Sequence, residues 1–469
     1  MMRPSAIDPH KIHEYSLEIL LQTGFQIEDE TIHDRLLERG VACSRKTGVI
    51  RFSPEQVEKA LATVPRQVVL GARDPRYKIV LTPNGRTRFM PSGTGVAVID
   101  WETGKRRPST ALDVEQFVRL SHAMAGLDIA RPVVTATDFP SLKTDLVEFL
   151  AGFRHTTKHF HHRVLRPENV ATVIAMAQAV AGGSAELRQE PLISVCFCPT
   201  SPLLMVPETA RSMLAFAANG IPVLVLSMAM GGATAPATIL GEAILVNTEV
   251  IATIALIQTL YPGCPVMYGS VSSVMDMSTA ILALGAPERG VLNGILADMA
   301  NHYGIPSVMG GLSTDSKHVD VQSGYEKAMT AIPLLGRAGV IFGPGVLNSG
   351  NTYSLEQLVI DADAIGGLKK MNNPIDASEG RRACDLIKAI GPGHHYLEAD
   401  HTMAHFRAYW RPGLFNRELT FGSQDAGNDI AGRAQACIRE HLESAEQEIL
   451  DRKTADELEK MVKSALEDG

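Results

Sequence analysis

Cysteine is scarce in this chain: six in 469 residues, scattered from Cys43 to Cys437 without framework spacing. That excludes a disulfide-built secreted domain and suits a reducing cytoplasm, the compartment expected here. A basic excess is also missing. The 44 Lys and Arg face 52 Asp and Glu, for a net charge of −8, which speaks against nucleic acid or an anionic membrane as the main partner. The opening MMRPSAIDPHKIHEYSL lacks the apolar core of a secretion signal. The longest apolar tract, IPVLVLSMAMGGATAPATILGEAILV from Ile221, carries Gly231, Gly232, Pro236 and Glu242 and has no basic flanks. It reads as a buried strand, a loop and a helix, not a membrane span. No Cys-x-x-Cys or His-Glu-x-x-His motif occurs, and no Gly-x-Gly-x-x-Gly follows the first strand to open a helix. No bound metal is expected. Aromatics are only 5% of the chain, so a tyrosine near a strand end carries extra weight.

What is present is a large apolar fraction, 45% of the chain, enough for a core beyond one small domain. Residues 1–85 read as a helical extension. Within it, RFSPEQVEKALATVP carries Ser53 as cap, Pro54 in the first turn and Gln56 to complete a capping box, with Phe52 and Val57 as a hydrophobic staple. Over residues 86–365, short Val/Ile/Met-rich runs alternate with longer helical stretches. The expected strands are 88–93, 128–135, 159–164, 192–198, 222–228, 265–270, 306–311 and 338–343. Near-continuous apolar strands suit a parallel sheet buried on both faces. Helices such as RPENVATVIAMAQAVAGG and VPETARSMLAFAANG end at glycine, as a C-cap does. Eight such units predict an α/β fold of the (β/α)8 TIM-barrel type, with an open doubly wound sheet as the alternative. Residues 366–469 read as a wrapping segment followed by a charged terminal helix whose outer face is solvated or meets another subunit. A homo-oligomer is expected.

In such a barrel, reactive groups project from the C-terminal strand ends. MAMGGATAP (228–236) stands at one. Gly231 and Gly232 leave room for a ligand beside the backbone, and the following helix start offers N–H groups to a carboxylate or phosphate; a plain tight turn explains the glycines equally. Other strand ends carry Thr200 and Ser201, Tyr268, Tyr325 and Tyr353. FRHTTKHFHHRV holds four histidines, with His159 and His161 on one face and His162 on the other. His161 and His162 lie nearer the exit. Cys196 and Cys198 share a strand face, and with His161, His162 and Cys264 they form the one conceivable zinc set; small buried cysteines are the simpler reading.

MGGATAP, GGLSTDSKHVDVQSGYEK, GPGVLNSGNTYSLEQLVIDAD and DHTMAHFRAYWRPGLFNRE resemble the trimethylamine methyltransferase (MttB-type) family over roughly residues 10 to 465. The resemblance implies a (β/α)8 barrel that moves a methyl group from an amine to the cobalt of a corrinoid carried by a partner protein. The family's archetype carries pyrrolysine, whereas this chain has only the standard twenty residues. It therefore resembles the branch acting on quaternary amines such as glycine betaine. Under that resemblance Asp315 and Tyr268 are the candidate catalytic residues. His161, His162, Gly231, Gly232, Thr234, Tyr353 and Asn348 are the candidate substrate contacts, with the 231–234 turn or the histidines taking a carboxylate. Two other readings stand beside it: a barrel lyase or hydrolase using these histidines and Asp315, and a non-catalytic betaine-binding or corrinoid-docking subunit.

Overall fold

A computed structural model describes residues 7–164, 166–417, 429–444 and 449–467. Its centre is a strongly curled parallel sheet of seven strands. These are β1 (Arg88–Met90), β2 (Phe160–His162), β3 (Ile193–Phe197), β4 (Val223–Ser227), β5 (Val266–Ser270), β6 (Ser307–Gly310) and β7 (Val340–Phe342). The order across the sheet is β1-β7-β6-β5-β4-β3-β2. All residues of β3, β4 and β5 are buried, which is why runs such as VLVLS show no polar alternation.

Seven of the eight expected strands are in this sheet. The remaining one, 128–135, is not a ladder strand but bonds to both sheet edges. Asp128 N donates to the Phe89 carbonyl at 2.8 Å. Ala130 N donates to the His159 carbonyl at 2.9 Å, and the Ala130 carbonyl accepts from His161 N at 3.0 Å. Pro132 has no N–H and Val133 sits at φ +62°, so regular pairing stops at Arg131.

Alternation sorts the strand side chains into two layers. Met90, Ile129, Cys196, Leu224, Met267, Val308 and Val340 share one buried cluster inside the curl. An antiparallel hairpin, Val68–Leu70 with Ile79–Leu81, adds four of its six apolar side chains to that cluster. It plugs the N-terminal ends of the strands, where Gly71 N donates to the Pro191 carbonyl at 2.8 Å.

The outward-facing residues join the main core under the helices. We number those used below α1 (Pro9–Gln22), α2 (Pro54–Ala62), α3 (Thr144–His155), α4 (Pro167–Ala181), α5 (Pro207–Ala218), α6 (Ile239–Leu260), α7 (Pro287–Tyr303), α8 (Leu355–Met371), α9 (Gly380–Ile390) and α10 (Asp400–His405). The expected capping box opens α2: Gln56 N donates to Ser53 Oγ at 3.3 Å and Ser53 N to Gln56 Oε1 at 2.9 Å. α4 ends at Gly182 with φ +90°, and α5 is followed by Gly220 with φ +71°, the left-handed residues a helix end needs. Among the described residues α6 is the single helix long and apolar enough to cross a membrane, with hydropathy 1.7 and 78% of that window buried. Helices α1 and α2 pack on it.

The first 85 residues are not purely helical. Besides helices they hold the plug hairpin and a small antiparallel sheet of Phe25–Gln26, Val49–Arg51 and Ala42–Ser44. Gly24 at φ +85° and Gly48 at φ +68° supply the left-handed backbone at the turns that lead into and between these short strands. After α8, helices α9 and α10 bury no side chain. The chain then returns Ala434, Ile438, Leu458 and Val462 to the main core.

Candidate active site

The inward faces of β2 and β3 carry a chain of hydrogen bonds that fixes a tautomer. His159 Nδ1 lies 3.0 Å from the Gly71 carbonyl, so that nitrogen carries the proton. Burial lowers the His159 pKa to about 4, so the ring is neutral and its Nε2 accepts. Ser194 Oγ, 2.8 Å away, therefore donates to it. The same oxygen, 2.7 Å from His161 Nδ1, then accepts from that N–H. His161 is also held neutral, by burial first and then by Arg131. Its Nε2, buried without a partner, thus presents a lone pair. Such a group suits a guanidinium N–H and repels a carboxylate.

His162, one residue on, faces outward. Its Nε2 donates to Glu148 of α3, and its ring lies 5.3 Å from that of Phe149. Burial pushes the Glu148 carboxyl up, but His162, Thr135 and the Ala136 amide outweigh it and leave it ionised. His162 is pushed down by burial, with Arg131 and Arg163 opposing its protonation. The pair ties β2 to α3.

Inside the curl, toward the C-terminal strand ends, stand arginines that sequence reading did not single out. Arg131 is 2% exposed, with Nε and Nη1 lacking any hydrogen-bond partner. Its guanidinium lies 4.8 Å from the centre of the Phe342 ring. Arg289, from α7, is equally buried; Nη1 donates to the Val271 carbonyl at 2.6 Å and Nε is unpartnered. It lies against Gly310, where an added Cβ would stand 2.1 Å from Nη2. Arg163 is half-buried, with an unpartnered Nε. Among the described residues none of the three pairs with a carboxylate (Asp315 and Glu242 act on Arg289 only from a distance). Burial lowers Arg131 and takes Arg289 to about 10; a guanidinium keeps its proton in proteins.

All three act on Tyr353. Burial raises its phenol, while its bond with Ser92 Oγ (3.3 Å) and the arginines hold it back. Gly95 lies against the Tyr353 ring, 2.3 Å from an added Cβ; only glycine fits there. Cys198, just beyond β3, lies within electrostatic reach of Arg131 and Arg163. Cys198 is solvent-accessible by area yet surrounded by protein, which pushes its thiol up to about 12.

The other sequence candidates lie elsewhere. Tyr268 points outward because Met267 faces in; it is fully buried and donates to Asn247 Oδ1 at 3.0 Å. Asp315 accepts from Leu284 N at 2.8 Å, Gly285 N at 3.0 Å and Ser349 Oγ at 2.7 Å, so its carboxylate is spent on loops. Asn348, at φ +50°, donates its amide to the Ser316 carbonyl at 2.7 Å. The 231–234 turn has no N–H to spare at its tip. Gly232 N donates to the Ala235 carbonyl at 3.0 Å, and Ala233 N and Thr234 N both donate to the Met230 carbonyl at 2.9 Å. Thr234 Oγ1 accepts from Met230 N at 2.9 Å. Gly232 has φ +91°, and Gly231 abuts Glu242, whose Oε2 would stand 2.5 Å from an added Cβ. The cysteines and histidines of β2 and β3 gather no three donor atoms within metal-ligating distance among the described residues.

Three comparisons bear on this arrangement. The family model described as trimethylamine methyltransferase (MTTB) matches residues 4–467. A trimethylamine methyltransferase of Desulfitobacterium hafniense is 35% identical over 456 residues, 97% of this chain and 92% of that protein. A glycine betaine methyltransferase from another strain of that organism is 31% identical, over 87% of this chain and 85% of that protein. The crystal structure of Methanosarcina barkeri monomethylamine methyltransferase superposes with a TM-score of 0.50 at 12% identity, covering 97% of this chain and 92% of that one. It shows a shared fold.

Proposed function

The chain belongs to the trimethylamine methyltransferase family, and on that premise we propose that its substrate is a quaternary amine bearing a carboxylate, a betaine, whose methyl goes to a corrinoid protein. The observation that carries this reading is the buried arginine set, Arg131 and Arg289 with Arg163 beside them, without a carboxylate partner. Burying unpaired guanidinium costs several kcal/mol, and an arriving carboxylate offsets that cost through charge-assisted bonds. Trimethylamine brings no anion to such a site. The two relatives' activities, on trimethylamine and on glycine betaine, come at similar identity and do not decide between them.

The arginines also orient the substrate. With its carboxylate deep among them, the trimethylammonium end is repelled outward, past Tyr353 toward the strand ends. An aromatic face there is worth about 0.5–2 kcal/mol to the cation. We read the fold as an eightfold barrel with residues 128–131 as its second strand, so that this end opens on the mouth. A partner's corrinoid, when reduced, supplies a cobalt nucleophile there. Cys198 and Met228, both exposed just beyond β3 and β4, suit an approach from outside. The C–N bond breaks with its electron pair left on nitrogen, giving a neutral tertiary amine; no proton has to be delivered. This chain's work is then to hold the N-methyl in line and keep water out. A lyase or hydrolase finds less support, because His162 and Asp315 are already engaged.

The test is cob(I)alamin mixed with the protein and a donor panel. Glycine betaine is expected to exceed choline and trimethylamine in kcat/KM by about 100-fold, since charge-assisted bonds contribute about 1.5–3 kcal/mol each. Arg131→Met and Arg289→Met are expected to remove most of that preference. Equal use of choline, or unchanged preference in both variants, overturns the reading.

A further inference from the structure

The C-terminal segment poses a separate problem of cohesion. From Asn373 to His405 it buries nothing: α9 and α10 contribute no side chain to any core, and Ile375 is 95% exposed and Leu397 76%. Hydrophobic burial therefore does not fix the path of these helices. One polar cluster crosses between their ends. His401 and His405, four apart on α10, lie on one helix face, their ring centres 4.3 Å apart. Glu379, just before α9, stands beside them, and the three donor atoms lie within 4.8 Å of one another. Its Oε1 is held by Arg382 Nη1 at 2.9 Å, while Oε2 is shielded from solvent with no hydrogen-bond partner.

We propose that Glu379, His401 and His405 form a binding site for a divalent ion of the zinc class, which clasps α10 to the start of α9. Two imidazoles and a carboxylate are the mixed nitrogen and oxygen set that zinc accepts, with water completing the coordination. Bonds of about 2.0–2.2 Å place ligand atoms roughly 3.3 Å apart around a tetrahedral ion. Closing the cluster onto one asks only for small rotations of half-exposed side chains. Arg382 orients the carboxylate from behind, as outer partners of metal ligands do. The ion brings to the segment the cross-link that its apolar residues do not. This site is independent of methyl transfer.

The experiment uses the full-length, tag-free protein, stripped with chelator and titrated with Co2+ alone, read by its visible ligand-field bands and by Zn2+ competition. One-to-one binding is expected. His401→Ala, His405→Ala and Glu379→Gln are each expected to weaken it by at least about 10–100-fold, the range for losing even an outer-shell partner. His394→Ala with His395→Ala, nearby but outside the cluster, is expected to bind as wild type. As a second readout, Zn2+ should slow tryptic cleavage at Arg381, Arg382 and Lys388 in the wild type and not in the three ligand variants. No binding by the wild type, equal binding by the ligand variants, or equal loss in the His394/His395 control overturns the proposal.

Discussion

Glu242 carries its proton at neutral pH because burial lifts its carboxyl to about 8. The Gly231 amide nearby opposes this without making a full hydrogen bond, so both carboxyl oxygens stay unpartnered. The sign follows from linkage. The folded chain holds a proton that the unfolded chain, with an ordinary carboxyl near 4.5, releases. Stability from this group is complete below that lower value and falls as pH rises toward about 8. Glu242→Gln, which keeps the shape and removes the titration, should melt higher than wild type above that window and nearly alike below it. Parallel melting curves across the window would show that the carboxyl is solvated after all. At this scale the sequence is legible wherever alternation decides. It separates His161 from His162 and, applied to β5, turns Tyr268 outward. Arg131 and Arg289 escaped because one sits in an apolar segment and the other on a helix. The available signal was register: Ile129 faces the interior cluster, so a charge two residues on must face it too.

Elements were more legible than residues where a local rule governs them. The α2 capping box, the glycine ends of α4 and α5, and seven of the strands follow from spacing and turn chemistry. What failed has a physical cause. Residues 128–135 carry strand-like composition, yet Pro132 and the left-handed Val133 stop the ladder after single bonds. The plug hairpin was hidden because three-residue strands leave too little periodicity to detect. Its contribution is tertiary. Leu70 and Leu81 are almost fully buried against the inner cluster, where cavities collapse poorly. Leu70→Ala is expected to cost about 2–5 kcal/mol, read as a lowered urea midpoint with an unchanged slope. A loss below about 0.5 kcal/mol, the range of ordinary surface changes, would mean the hairpin merely covers the sheet end.

For the molecule as a whole, the proposed reaction sets a requirement that the strand ends must meet: a second protein has to bring its cobalt to the N-methyl. Exposed apolar side chains stand there. Met228 at the end of β4 is 54% exposed, and Met277 (74%) and Ile281 (50%) project from the hairpin of Ser273–Asp276 and Ile281–Leu282. That hairpin is tied to the glycine turn, since Met230 and Gly231 pair with Ser273 and Val274. Met277 Sδ lies 3.4 Å from where a Gly232 side chain would begin. The glycines of MAMGGATAP thus shape a rim, and the Gly232 amide is spent in holding it. Methionine suits such a surface, being flexible and polarizable enough to pack against a partner that comes and goes. Free cobalamin needs no such contact, which separates docking from chemistry. Met277→Glu should slow methyl transfer to a corrinoid protein by about tenfold, equivalent to 1.4 kcal/mol, while leaving the rate with free cob(I)alamin and the KM for the amine unchanged. If both acceptors slow together, Met277 acts on the substrate site through Gly232, and the partner's contact lies elsewhere on the mouth.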